Sequence, residues 1–192
     1  MVTRLPDPAH RWILLIAADE HDIRIPFFVR GPGVSAGIFI ESPVLSIDVA
    51  PTLTQLGTGT VPDDMDGRSF LPLLKGATAD GTVSWRDDFL VTYYGQGRAP
   101  CGLQVCPPPR ASHFHENDAF NNTYMCIRSL SAREDSMYCE FADDENFVEF
   151  YNHTTDAWQL DNCAVKTPVP GVEHYKARLE YLKTCTGVAC RA

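Results

Sequence analysis

Apolar positions cluster along the chain in patterns that predict its elements. Ile23, Ile25, Phe27, Phe28 and Val29 put apolar side chains on both faces of an extended run. That is the pattern of a strand in a sheet covered on each side, so a buried central strand is predicted over Asp22–Arg30. Pro26 marks its start or a bulge, because proline lacks the ladder N–H. Gly31-Pro32-Gly33 ends the run in a turn. Val49, Leu53 and Leu56 then recur at helical spacing, which predicts a helix over Ser46–Leu56 with these three on its core face. Ser46 or Asp48 is the expected N-cap, and Pro51 falls in the first turn, where a missing N–H costs little. Val61–Lys75 reads as a loop with a short apolar turn at Phe70–Leu74, and Gly76–Gly81 as a small polar excursion at a domain boundary.

In the second half the period changes. Phe89–Tyr94, Thr123–Leu130, Met137–Phe141 and Asn146–Tyr151 are strand-like. Polar turns at Ala132–Ser136 and Asp143–Glu145 join the last three into an antiparallel meander, and the first strand makes it a four-stranded sheet. Gly95–Asp118 is irregular. Tyr175, Leu179 and Leu182 lie on one face of a predicted C-terminal helix, Glu173–Lys183, which would cover one face of the sheet.

The formal charge of −9 over 192 residues argues against a nucleic-acid partner, which would need a basic face. It also makes this stretch a poor sole holder of a sulfated polyanion. Six of seven cysteines fall in close pairs: Cys101–Cys106, Cys126–Cys139 and Cys185–Cys190. None has zinc-ligand spacing, so disulfides and an oxidising, secretory route are expected, with Cys163 left over. Two sequons, at Asn121 and Asn152, agree with that address and are candidate glycosylation sites. The short apolar run at Trp12–Ala18 reads as a buried element or a misplaced start, with a minimal signal sequence as the alternative. No segment is long enough to span a membrane.

Several strings occur in a telling order: Phe120-Asn-Asn-Thr-Tyr-Met-Cys-Ile-Arg128, Tyr138-Cys-Glu-Phe141, Phe147-Val-Glu-Phe-Tyr-Asn152, Asp156-Ala-Trp-Gln-Leu-Asp-Asn162 and Cys185-Thr-Gly-Val-Ala-Cys-Arg191. With Arg24-Ile-Pro26 and Asp66-Gly-Arg-Ser69, they resemble the sulfatase family, in its N-acetylglucosamine-6-sulfatase branch, from about Asp22 to Arg191. The resemblance implies an α/β fold: the end of the large alkaline-phosphatase-like mixed sheet over residues 21–80, then a small α+β subdomain over 81–192, with 1–20 unplaced. It also implies an activity for a full-length parent, hydrolysis of 6-sulfate esters on N-acetylglucosamine units of glycosaminoglycan-like polysaccharides in the lysosome or outside the cell. In that chemistry a formylglycine hydrate attacks the sulfate, and calcium with cationic side chains neutralises its oxygens.

The pieces that perform the chemistry are not found in this sequence. Leu15 aligns where the family has a catalytic lysine, and no Asp-Asn-Gly precedes Asp22. Cys106-Pro-Pro-Pro-Arg110 imitates the C-x-P-S-R motif that yields formylglycine, but Pro109 occupies the Ser/Ala position. It is read as a decoy. No catalytic or metal-binding residue is therefore assigned, and no cofactor is expected in this chain. Tyr94, Gln96 and Arg98 are the substrate-side candidates, since Arg offers sulfate a planar fork of donors. His113 and His115 with Glu116 and Asp118, the acidic trio Asp63, Asp64 and Asp66, and His21 between Glu20 and Asp22 are each read as surface or structural groups. The missing N-terminal sulfatase portion is the expected partner. The chain alone should be inactive. The alternative reading is a non-catalytic carbohydrate- or partner-binding module derived from a sulfatase. An unrelated disulfide-rich module would require the ordered motifs to be coincidence.

Overall fold

The computed structural model describes residues 20–34, 36–75, 84–94, 123–131, 133–165, 168–169 and 171–191. Four strands, β1 (Asp88–Tyr94), β2 (Thr123–Leu130), β3 (Asp135–Phe141) and β4 (Val148–Asn152), form an antiparallel sheet in the order β1-β2-β3-β4. This is the predicted meander, with ends within two residues of those read from the period-2 pattern. The helices are α1 (Glu20–Ile23), α2 (Val49–Thr58), α3 (Leu71–Leu74) and α4 (Val172–Thr184). By its contacts the chain divides into two compact units, residues 1–24, 91–126 and 137–170 in one, and 25–90, 127–136 and 171–192 in the other. Each draws on sequence from both sides of residue 80.

The first unit is built on aromatic pairs across strands. Tyr93 of β1 stacks on Tyr124 of β2 with ring centroids 5.3 Å apart, and Tyr124 meets Phe141 of β3 at 5.4 Å. Such cross-strand pairs are a main source of sheet stability. Tyr124, Cys126, Met137 and Cys139 are the buried core, flanked by Ile23, Val91, Tyr93 and Phe141. A disulfide joins Cys126 to Cys139, with the two Cα atoms 4.0 Å apart. After β4 the chain turns on its own side chains. Asp156 accepts the N–H groups of Leu160 and Asp161, and Asn162 bonds back to Phe150 N–H and Val148 C=O.

The second unit centres on Phe70, Leu73 and Leu74, with Val34, Ile40, Val44, Val49, Leu71 and Trp85 packed around them. Two expectations fail here. Residues 24–30 form no strand, and the predicted run begins inside the short helix α1. Ile25, Phe27, Phe28 and Val29 are 70%, 52%, 90% and 39% exposed. A strand that is apolar on both faces needs ladder neighbours and cover on each side. Phe27 meets Phe70 in a T-shaped contact with ring centroids 5.7 Å apart, and these exposures show that such cover is incomplete among the described residues.

The second correction concerns α2. Val49 packs on the core as expected, but Leu53 and Leu56 face outward, 62% and 59% exposed. Pro51 and Thr52 are buried instead. The Thr52 hydroxyl donates to Asp48 C=O at 2.7 Å and accepts Phe70 N–H at 3.0 Å, so a polar tie sets the rotation of the helix. Asp48 stands at the N-cap of α2 as expected, but it makes no side-chain cap hydrogen bond there. The Asp48 carboxylate has other partners.

Candidate functional site

A heavily bonded polar centre forms at Asp48, which ends the 3₁₀ turn Ser46–Asp48 and is fully buried. Its Oδ2 accepts Leu45 N–H at 2.8 Å, and its Oδ1 accepts Arg68 N–H at 2.8 Å. Arg86 donates from Nη1 to Oδ2 at 2.6 Å and from Nη2 to Oδ1 at 2.9 Å. A carboxylate holding four donors, two of them a guanidinium fork, is neither a free base nor a free metal ligand. Trp85 organises the cations beside it. Its indole N–H donates to Pro43 C=O at 2.7 Å, and the guanidinium carbons of Arg68 and Arg86 lie 4.6 and 5.2 Å from its ring. Arg68 also donates to Ser84 C=O. Burial first, then the charge of Arg86, lowers the Arg68 pKa, while Asp48 pulls the other way.

A second polar centre joins the β2–β3 turn to α4. The Tyr175 hydroxyl bonds Glu134 and lies 3.1 Å from Ser136 Oγ, which donates to Glu134 Oε1 at 2.7 Å. Burial, then the Glu134 hydrogen bond, pushes the Tyr175 pKa up to about 12. Arg128, buried, pairs with Asp135 at 2.6 Å. Arg178 forks onto Asp88 at 2.9 and 2.8 Å, and that bonding raises its pKa. Both arginines are thus paired with carboxylates within the fold.

Only some of the residues singled out in the sequence are among the described ones. Tyr94 ends β1 and is 66% exposed. Its companions Gln96 and Arg98 lie outside the described residues, as do Asn121, the Cys101–Cys106 pair, the Cys106–Arg110 string and His113, His115, Glu116 and Asp118. The same holds for the side chain of His21. Asn152 is exposed, and its Oδ1 accepts from the Thr154 hydroxyl at 2.5 Å and the Thr154 N–H at 3.0 Å. Cys185 and Cys190 form a disulfide, and Cys163 is a half-buried free thiol. Asp66 accepts Gly187 N–H at 2.6 Å, a structural use of the acidic trio. Among the described residues, no group of three or more His, Cys, Asp or Glu is placed to hold a metal ion, and no helix is long and apolar enough to cross a membrane. Sequence reading missed the Asp48–Arg86 pair because its partners are 38 positions apart and no local pattern links them.

A family model described as "N-sulphoglucosamine sulphohydrolase, C-terminal" matches residues 9–100. N-acetylglucosamine-6-sulfatase of Bos taurus is 41% identical over 179 residues, 90% of this chain and 31% of that protein. The Homo sapiens protein of the same name is 39% identical over 179 residues, again 90% of this chain and 32% of its own length. The chain thus spans about a third of these relatives. Among solved structures, a phosphonate monoester hydrolase of Agrobacterium radiobacter aligns with a TM-score of 0.48 and 23% identity, over 75% of this chain and 25% of that one.

Proposed function

With this chain placed in the sulfatase family, as a relative of the C-terminal portion of N-acetylglucosamine-6-sulfatases, we propose that it serves as that portion of an enzyme cleaving 6-sulfate esters of N-acetylglucosamine units in glycosaminoglycan-like polysaccharides. The observation that carries this is the 39–41% identity sustained over 90% of the chain. The exposed run Ile25–Val29 supports it. Its composition suits a strand with neighbours on both sides, and the further length of the relatives is where those neighbours would come from. Disulfides at Cys126–Cys139 and Cys185–Cys190 favour a secretory address, lysosomal or extracellular.

The calcium ion and formylglycine of the sulfatase reaction do not fit the described residues. Asp48 is closed by Arg86 and two backbone N–H groups, Asp66 by Gly187, and four of the cysteines are in disulfides. Both groups are assigned to the remaining two-thirds of the parent, and no chemical step is routed through this chain. Its role is to complete the fold, with Tyr94, Gln96 and Arg98 on the substrate side.

The test is turnover of a 6-sulfated glucosamine and an aryl sulfate by purified 1–192. None is expected from the chain alone. Turnover that disappears in Cys106→Ala overturns the reading. The transcript upstream of Met1 is the companion test. An in-frame Asp-Asn-Gly loop and C-x-P-S-R motif support it, whereas a stop codon in an abundant message favours a non-catalytic carbohydrate- or partner-binding module.

A further inference from the structure

The C-terminal hexapeptide Cys185-Thr-Gly-Val-Ala-Cys190 is closed by a disulfide and runs into a short 3₁₀ helix, Gly187–Arg191. Its polar contacts and those of Arg191 converge on four residues, Pro62, Asp63, Met65 and Asp66, of the acidic loop that follows α2. Gly187 N–H donates to Asp66 Oδ1 at 2.6 Å, and Val188 N–H donates to Asp63 C=O at 3.0 Å. The Arg191 guanidinium donates to Met65 C=O from Nε at 2.9 Å and from Nη2 at 2.7 Å, and Nη2 also reaches Pro62 C=O. Gly187 is buried with φ +58°, and a Cβ there would lie 2.2 Å from Asp63 C=O, so only glycine permits the approach. Tyr181 of α4 holds the segment from behind by donating to Ala189 C=O at 2.6 Å.

The loop so gripped leads directly to the buried ion pair. Gly67 packs under Ile47 C=O, and Arg68 N–H is a ligand of Asp48. A 3₁₀ turn of five residues has poor hydrogen-bond geometry and little stability of its own. The disulfide supplies what the turn lacks, by removing open conformers of the hexapeptide. Access differs between the two described disulfides. Cys126 and Cys139 are 0% and 1% exposed, whereas Cys185 and Cys190 are only half-buried.

We propose that the Cys185–Cys190 loop is a redox-sensitive latch that holds residues 62–68 against the second unit's core, and that a dithiol reductant opens it before the Cys126–Cys139 bond. The step is ordinary exchange. The dithiol transfers two electrons and two protons, closes to its own disulfide, and leaves thiols at Cys185 and Cys190. The freed hexapeptide then no longer presents Gly187 N–H, Val188 N–H and Arg191 together, and the loop that donates Arg68 N–H to Asp48 is released.

The test uses the intact chain. Free thiols are first blocked with N-ethylmaleimide, the protein is titrated with dithiothreitol, and new thiols are alkylated and located by peptide mass mapping. Amide hydrogen exchange is followed in parallel. Cys185 and Cys190 should be alkylated first, and exchange at residues 63–68 should then rise by about tenfold or more while β2 and β3 stay protected. Arg191→Ala with the disulfide intact should raise exchange at 63–66 by a smaller factor, and it keeps the idea testable if Cys185→Ser/Cys190→Ser fails to fold. Unchanged exchange at 63–68 with the terminal bond open overturns the latch. So does a rise that occurs only together with β2 and β3, which would make this disulfide a general staple.

Discussion

Arg86 grips Asp48 through both terminal nitrogens, at 2.6 and 2.9 Å, and side-chain exposure is 5% for the arginine and 0% for the aspartate. The pair ties the start of α2 to the residues that lead into β1. Removing one partner of a buried pair strands the other charge, so Arg86→Ala should destabilise the protein by about 3–5 kcal/mol in urea unfolding. Arg86→Lys should recover only part of this, since an ammonium cannot fork onto both oxygens. Equal stability of Arg86→Ala and wild type would show that the pair contributes nothing net.

Gly67 and Gly57 should respond oppositely to alanine. A Cβ on Gly67 would lie 2.0 Å from Ile47 C=O, a backbone atom that cannot step aside. Gly67→Ala is expected to cost about 1–3 kcal/mol, as overpacking does. Gly57, inside α2, has open space around its Cβ position. Gly57→Ala should be stabilising by roughly 0.5–1 kcal/mol through helix propensity. Thermal or urea melts of the two variants decide both.

Tyr175 sets an alkaline limit. Its hydroxyl is neutral when bonded to Glu134 and Ser136, and its pKa is pushed up to about 12 from an ordinary value of about 10. Because the folded pKa is the higher one, this contribution is fully present below pH ~10 and fades as pH rises through ~12. The unfolding free energy should therefore fall across that window. Tyr175→Phe should lose stability at neutral pH and flatten the alkaline slope, and an unchanged slope in Tyr175→Phe would place its origin elsewhere.

Phe28, 90% exposed, sits in the apolar run of residues 25–29. Isolated 1–192 should self-associate through this run, and Phe28→Ser should reduce association in sedimentation velocity without lowering the urea midpoint. Leu73, 2% exposed in the core of the same unit, provides the contrast. Leu73→Ala should cost about 2–5 kcal/mol. A monomeric wild type at high concentration would count against the exposed run as a contact surface.

The strand and helix pattern of residues 88–94, 123–152 and 172–184 was legible because its determinants are local. Thr123–Leu130 and Met137–Phe141 carry their strand character in their own composition, and Tyr175 and Leu179 mark the buried face of α4 by spacing alone. Residues 22–30 were not legible in the same way. Their composition describes a strand between neighbours, and a periodicity reading cannot see whether those neighbours are at hand. The rotation of α2 was hidden for a related reason. Apolar spacing pointed to Leu53 and Leu56, but a hydroxyl shared between Asp48 C=O and Phe70 N–H turned Thr52 inward.

From its sequence alone, the chain determined its sheet, its C-terminal helix, the Cys126–Cys139 and Cys185–Cys190 pairings and its family resemblance, all of which rest on local composition and on motif order. Only the tertiary structure decided where its charges go. Asp48 meets Arg86 across 38 positions, and Arg191 reaches Met65 across 126. Such pairs are set by how the chain folds back on itself, because burial makes an unpaired charge costly and whichever partner the fold brings near must satisfy it.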